Sequence, residues 1–499
     1  MRFRFCIVQN DGPAKQSQLN AMDRIYANSS FTIFAAQNGD ASDGLYGTRR
    51  VRNDNPGPEE EFALPHRPLK LGWGSESHRQ NMLDHARRLM QTEWYSRGWV
   101  FQEHLFSPRK LVFHGHTVNW ECLCAAWHES LDLSDEHHTH QIAHQRWNSL
   151  HPYSPRSGFD HTPWPNMFRY SRLVSMYNRR ALTYPEDILD AFAGTLSALS
   201  RTFAQGFISG LPQFCFDAAL LWQPWDMMER RVSAHRPSSK SVLPSWSWAG
   251  WSGTLNSESW RSASAYIREH ADMSSKCSWI THSTVSWEHS ETLDGKRKPV
   301  LIPPLIASRN LDHENVSLPE GWTMHVNENG ETIYRHGCDP SQEFLYPIPI
   351  RDQNRAHVPP TNSRYLHGHT RRAFFKLGKA YSSAVSVCTA VDVLTISGAW
   401  AGVLRLNHSA ADDTSSAYLG VSVELIEISA GSVKDQALEE ESFDEWNRSQ
   451  CPRHDGSYEF FNVLWVEWVA GVAYRKALGR VVKSIWEEEK RENIRLVLG

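Results

Sequence analysis

The sequence predicts an α/β N-terminal domain carrying a partial parallel sheet, followed by a mixed helical and β-rich region of α+β type. Three observations predict it. Two short apolar runs, Phe3 to Val8 and Phe31 to Ala36, flank a segment in which Leu19, Met22, Ile25 and Tyr26 fall at helical spacing. Residues Tyr95 to Cys124 combine a helix, a stop at Ser107-Pro108 and two alternating strands meeting at Gly115. Beyond Tyr418 the chain runs through alternating or continuous Val, Ile and Trp, punctuated by Gly471 and Gly479.

The first two runs read as parallel strands joined by a crossover helix, an arrangement that needs cover on both faces. In open α/β sheets ligands bind beyond the carboxyl ends of the strands. Gln9, Asn10, Asp11 and the loop from Asn38 to Asp43 therefore stand at a candidate ligand mouth, with ordinary loop polarity as the competing reading. Asn53 to Pro68 is charged and proline-rich and reads as a surface loop. A helix through Met82, Leu83, Ala86, Leu89 and Met90 comes next, then a second over Ser96–Phe106. On that helix Trp99 and Glu103 share a face, as do Gly98 and Gln102. Lys110–His114 and Thr117–Leu123 alternate well enough for a hairpin. Tyr184 to Asp187 opens a helix through Ile188, Leu189, Ala191, Phe192 and Leu196. Near the end, Tyr418–Ser429 and Asn462–Tyr474 read as antiparallel strands, and Lys483–Arg491 as a charged helix or the start of one.

Composition excludes several classes. A chain of 499 residues is long enough for two or more domains. Its 52 basic and 56 acidic residues nearly balance, which argues against nucleic acid as a partner. No apolar stretch is long enough to span a bilayer, and the start, MRFRFCIVQND, lacks a secretory h-region. Eight cysteines without a C-x-x-C pair suit reduced thiols, so a cytoplasmic location is expected. No Gly-x-Gly-x-x-Gly, phosphate loop or Gly-x-Ser-x-Gly elbow occurs, so no cofactor is required. His137, His138, His140 and His144 crowd a polar, linker-like segment; without a third ligand at recognisable spacing they do not make a metal site. The 21 tryptophans, patterned at Trp246, Trp248 and Trp251 and at Trp465 and Trp468, read chiefly as core anchors.

Several of these segments carry a resemblance. Cys6 to Gly47 (CIVQNDGPAKQSQLNAMDRIYANSSFTIFAAQNGDASDGLYG) is similar to the second block of the fungal heterokaryon-incompatibility (HET) domain. Arg97, Trp99, Gln102, Glu103, Ser107 and Arg109 match its third block. Tyr177–Leu199, Leu243–Gly253 and Phe460–Glu488 resemble the downstream region of such proteins. The family's opening block, resembling Ala-Leu-Ser-Tyr-x-Trp-Gly, has no counterpart before Phe5. The organisation expected from the resemblance is a HET domain over residues 1–130, N-terminally truncated, a helical connector over 131–240 and a β-rich region over 241–499.

The resemblance implies a role in nonself recognition leading to programmed cell death, with protein partners and homo-oligomers as forms of assembly. It also implies a remotely TIR-like fold, some of whose members cleave NAD. Loss of nicotinamide passes through an oxocarbenium-like sugar, which a nearby carboxylate stabilises. On that reading NAD is a substrate, Glu103 the catalytic carboxylate and Gln102 its hydrogen-bonding partner. Arg97 or Arg109 would hold a phosphate, and Gln9 and Asp11 line the mouth. Two other readings stay open: an interaction module in which these residues form a structural polar network, and an inactive remnant. Residues 318–349 resemble a WW domain in the opening Leu318-Pro319-Glu320-Gly321-Trp322, in Gly330 and in Pro347, but Phe344 replaces the second tryptophan of the peptide groove.

Overall fold

The computed structural model describes residues 17–19, 21–36, 87–114, 117–122, 126–128, 159, 164–232, 243–264, 279–302, 318–326, 332–348, 350, 360–409, 418–434, 443–446, 448–452 and 456–499. The chain divides into two compact units. The first comprises Met1–His161 with Arg180–Leu182 and Asp190–Ala198, and the second the remainder. The strand expected over Phe3 to Val8, the loop Asn38 to Asp43 and the histidine-rich segment lie outside the described residues.

The first unit is built on helices α1 (Met22–Ala27), α2 (Glu93–Ser96) and α3 (Val100–Phe106) and strands β1 (Thr32–Ala35), β2 (Arg109–His114), β3 (Thr117–Cys122) and β4 (Ala126–His128). The strands form one small sheet in the order β1-β2-β3-β4. β1 runs parallel to β2, with Phe34 beside Val112. The β2–β3 pair is the expected hairpin, His114 facing Thr117. Phe34, Ala36, Leu89 and Val112 are buried with Trp94 packed against them. The Phe34 and Trp94 rings stand 4.9 Å apart, within the range of favourable aromatic pairs. Ser107 ends α3 in an extended conformation and ties the helix to β1: its hydroxyl lies 2.8 Å from Thr32 Oγ1 and 2.7 Å from the Glu103 carbonyl.

The single helix expected over Ser96–Phe106 is instead broken. Arg97 is extended (φ −73°, ψ 137°) and the helix resumes at Val100. A backbone bridge supplies the reason: Gly98 N–H donates to the Ala181 carbonyl at 2.7 Å, and Ala181 N–H donates to the Ser96 carbonyl at 2.7 Å. Glycine suits this position, since a Cβ on Gly98 would stand 2.6 Å from Leu182 Cδ2 and displace that side chain. Two firm hydrogen bonds outweigh the helix propensity of three residues.

The second unit opens with α4 (Met167–Asn178). The helix expected from Tyr184 onward begins as a 3₁₀ turn over Pro185–Ile188, passes a second over Asp190–Phe192 and becomes α-helical only at Ala193–Leu199; Tyr177 fixes the first turn by donating its hydroxyl to the Ile188 carbonyl at 2.6 Å. The tryptophans do anchor this unit. Trp222, Trp246, Trp248 and Trp260 are fully buried, and their indole N–H groups find the Trp246 carbonyl, the Arg364 carbonyl, the Tyr170 hydroxyl and the Ala219 carbonyl.

Strands β5 (Ile280–Ser283), β6 (Glu288–Ser290) and β7 (Lys298–Pro299) precede a three-stranded meander of β8 (Trp322–Val326), β9 (Thr332–His336) and β10 (Asp339–Phe344). The meander falls where the WW-like stretch was recognised. Ile333, Tyr334 and Phe344 are all buried, and Phe344 packs edge-on against Trp164. The positions that would line a peptide groove are thus occupied by the unit's own side chains.

The larger sheet follows: β11 (Tyr365–Ser382), β12 (Cys388–Leu394), β13 (Trp400–Ser409), β14 (Ser422–Lys434), β15 (Ser457–Val469), β16 (Val472–Val482) and β17 (Glu492–Leu498), with α5 (Lys483–Glu488) before the last strand. Neighbours run β11-β12-β13-β16-β15-β14, and β14 pairs back onto β11, so six antiparallel strands close into a ring. The eighteen-residue β11 makes this possible by changing partners. It pairs β17 from Leu366 to Arg372, β14 from Arg372 to Lys376, and β12 beyond. Phe375, Leu377, Val391, Leu404, Leu425 and Val463 are buried in the core, where Trp486 of α5 stacks on Phe375 at 5.7 Å. On the opposite face of their strands, Arg405 and Arg480 are buried with the segment Phe443–Trp446. Arg405 pairs with Asp444 at 3.0 Å and Arg480 with Glu445 at 2.5 Å.

Candidate functional site

The first unit brings Glu103 together with one expected residue and one unexpected one. Glu103 lies on the side of α3 that packs against α1, and Tyr26 of α1 donates its phenol to the Glu103 carboxylate. Burial pushes the Glu103 carboxyl up to about 7, although the Tyr26 hydrogen bond and the positive charge of Arg97 both favour its ionised form. Burial also raises the Tyr26 phenol, and the charge of Glu103 pushes it the same way. Arg97 itself is exposed, with its backbone in the bridge to Ala181.

Gln102 is not part of this group. It is fully buried on another side of α3 and donates Nε2–H to the Ala191 carbonyl at 2.6 Å. Its Oε1 has no partner among the described residues. A Cβ on Gly194 would overlap that oxygen. Arg109, exposed at the head of β2, reaches only the Ser30 carbonyl among the described residues, at 3.4 Å. Gln9 and Asp11 lie outside the described residues.

Three further polar residues stand close by, and sequence patterning had not singled them out. Arg180 donates to the backbone carbonyls of Tyr95 and Arg97, and its guanidinium sits 3.9 Å from the Tyr95 ring centroid. His104 lies among the rings of Phe34, Trp94 and Tyr95. Burial, with Lys110 and Arg180 nearby, holds it neutral, well below the usual imidazole range. Lys110 is buried on β2 at 3.7 Å from Glu121 of β3; burial lowers its ammonium pKa while Glu121 opposes the shift. Each follows another polar residue in the chain (Arg179, Glu103 and Arg109), so nothing in the sequence marked these side chains as buried.

Chemically, the group offers one carboxyl that titrates near neutrality, one phenolic donor bound to it and one exposed cation. A carboxyl so poised exchanges a proton at physiological pH, as a general acid or base must. Among the described residues no cluster of His, Cys, Asp and Glu could hold a metal ion. Nor, among them, is any helix long and apolar enough to cross a membrane.

Residues 4–103 match the family model described as Heterokaryon incompatibility protein (HET). The matched segment contains Gln9, Asp11, Tyr26, Arg97 and Gln102 and ends on Glu103, while Arg109 falls just beyond it. No curated protein and no solved structure matches the chain. Residues 4–103 thus carry the similarity to the heterokaryon-incompatibility (HET) family that the motifs had indicated, and the match supports a role in heterokaryon incompatibility in the broad sense.

Proposed function

We propose that the chain is an effector of nonself recognition whose first unit cleaves the nicotinamide–ribose bond of NAD through Glu103, with cell death as the outcome. The observation that carries this reading is the half-buried Glu103 carboxyl, hydrogen-bonded by Tyr26 and near the cation of Arg97. In its ionised form the carboxylate stabilises an oxocarbenium-like ribose, and the positive charge of Arg97 favours that form while offering a contact for a dinucleotide phosphate. Gln102 serves the fold in this scheme. The family's remote likeness to TIR domains is consistent with the same chemistry.

The burial of Gln102 and Arg180 in backbone hydrogen bonds favours a second reading, in which the polar residues are structural and signalling proceeds through protein partners. The two readings separate in one experiment. Nicotinamide release from NAD is measured for the full chain and for Glu103→Gln, with circular dichroism and melting confirming that the variant folds. Release that falls by about a hundredfold or more in the variant supports the enzyme, since positioned acid–base groups are commonly worth that much. No release by the parent, or equal release by both, removes Glu103 from catalysis and leaves the interaction module or an inactive remnant.

A further inference from the structure

Within the second unit, a groove of about 750 Å³ opens where β6 and β17 both lie against β11. That volume falls in the range of small-molecule sites, roughly 300–1,000 Å³. Sheet register places its charged side chains. Glu288 of β6 stands across from His367 of β11, and His369 stands across from Arg495 of β17. Cross-strand neighbours share a face, so these four residues line one side of the sheet. Arg297, on the turn leading into β7, comes within 3.9 Å of Glu288. Ser283, Thr284 and Ser286 add hydroxyls to the lining.

Positive charge prevails in this groove. It holds two guanidinium groups and one carboxylate. The Arg297–Glu288 pair is long and well exposed, so it neutralises little. Arg495 is exposed, and its guanidinium has neither an ion pair nor a hydrogen bond to a described residue. Burial lowers the His367 imidazole, and the charges of Arg297 and Arg495 push in the same direction against Glu288. His367 Nε2 bonds the Ser290 hydroxyl at 2.8 Å, yet its Nδ1 has no partner among the described residues, and neither does the Ser283 hydroxyl. Buried polar atoms are normally paired with protein, water or ligand.

We propose that this groove binds a phosphorylated small molecule, its phosphate held by Arg297 and Arg495 with the neighbouring serine and threonine hydroxyls as additional donors. Two guanidinium forks match a phosphate dianion in charge and in bidentate geometry, which one lysine-like point charge would not. The groove leaves room for the rest of a molecule the size of a sugar phosphate. This site does not depend on Glu103.

Calorimetric titration of the full chain with inorganic phosphate and with ribose 5-phosphate, at constant ionic strength, tests it. Both are expected to bind saturably, the sugar phosphate more tightly. Arg495→Leu and Arg297→Leu should each weaken binding by about tenfold or more, the scale of one lost charge-assisted pair. Glu288→Gln should tighten it. Unchanged melting curves establish that the variants fold; should either leucine variant fail to fold, Arg495→Lys replaces it and is expected to weaken binding by losing the bidentate contact. Absence of saturable heat, or affinities unmoved by the arginine substitutions, overturns the proposal. Phosphate binding with no gain from the sugar also overturns it, leaving a bare anion site.

Discussion

Glu103 turns the packing of α1 on α3 into a pH dependence. Its carboxyl is pushed up to about 7 in the folded chain, above the ordinary value of 4.5. A raised acid favours folding only while protonated. Its contribution is therefore complete below about pH 4.5 and is lost as pH rises through about 7, an amount of at most about 3 kcal/mol. Glu103→Gln should remove that dependence and leave the first unit more stable than the parent above pH 7; melting temperatures recorded from pH 4.5 to 8.5 would show it. Gly194 makes a second residue-scale case. Gly194→Ala places a methyl group on Gln102 Oε1 and should destabilise the first unit by about 1–3 kcal/mol, the usual range for overpacking. Pairing it with Gln102→Ala in a double-mutant cycle should recover part of that loss. Glu103 was legible because a carboxylate among aromatic residues is conspicuous in a sequence. Tyr26 was not, because a tyrosine at helical spacing looks the same whether its hydroxyl meets water or a buried acid. Gln102 was misplaced for a related reason: spacing gives the face of a helix but not what covers that face.

At the scale of elements, the β2–β3 hairpin was the most readable part, since both strands alternate. The run Asn462–Tyr474, expected as one strand, instead turns at Ala470-Gly471, both with positive φ, as a tight two-residue turn requires. Breaks and seams were less readable, since they depend on distant segments. The extended Arg97 is set by Ala181, and the partner changes along β11 are set by strands far later in the chain. Arg372 marks one such change, bonding Glu492 of β17 and Glu424 of β14 at the point where the two succeed each other. The Phe443–Trp446 segment is held more firmly. Burial alone would raise the Asp444 carboxyl, but Arg405 and the Ser383 hydroxyl hold it below the usual range. Arg480→Met would leave Glu445 buried and uncompensated, at a cost of about 3–5 kcal/mol. Replacing both partners with apolar residues should cost much less. Chemical denaturation of the parent and the two variants checks the order.

For the molecule as a whole, the sequence conveyed mixed α/β character and a strand-rich second half, while the closure of six strands into a ring lay beyond it. Alternation shows that a strand has an inside and an outside, but not which strand comes back to meet it. Two compact units, each with its own core, should unfold in separable steps. Calorimetry should resolve two transitions, with Glu103→Gln shifting only one and Arg480→Met only the other. A single transition displaced by both substitutions would contradict this.

The ring also sets a tempo. Its seam brings Arg372 to Ile426, and the same strand must find Glu288 in one direction and Leu498 in the other. None of these meetings is local, so chain entropy opposes each one before any hydrogen bond repays it. Refolding of this unit, followed by stopped-flow tryptophan fluorescence, should take roughly milliseconds to seconds, where helical bundles take microseconds to milliseconds. Through that interval every strand shows an open edge to its neighbours in solution. The edges that the ring pairs off once it closes are thus most adhesive while the chain is being made.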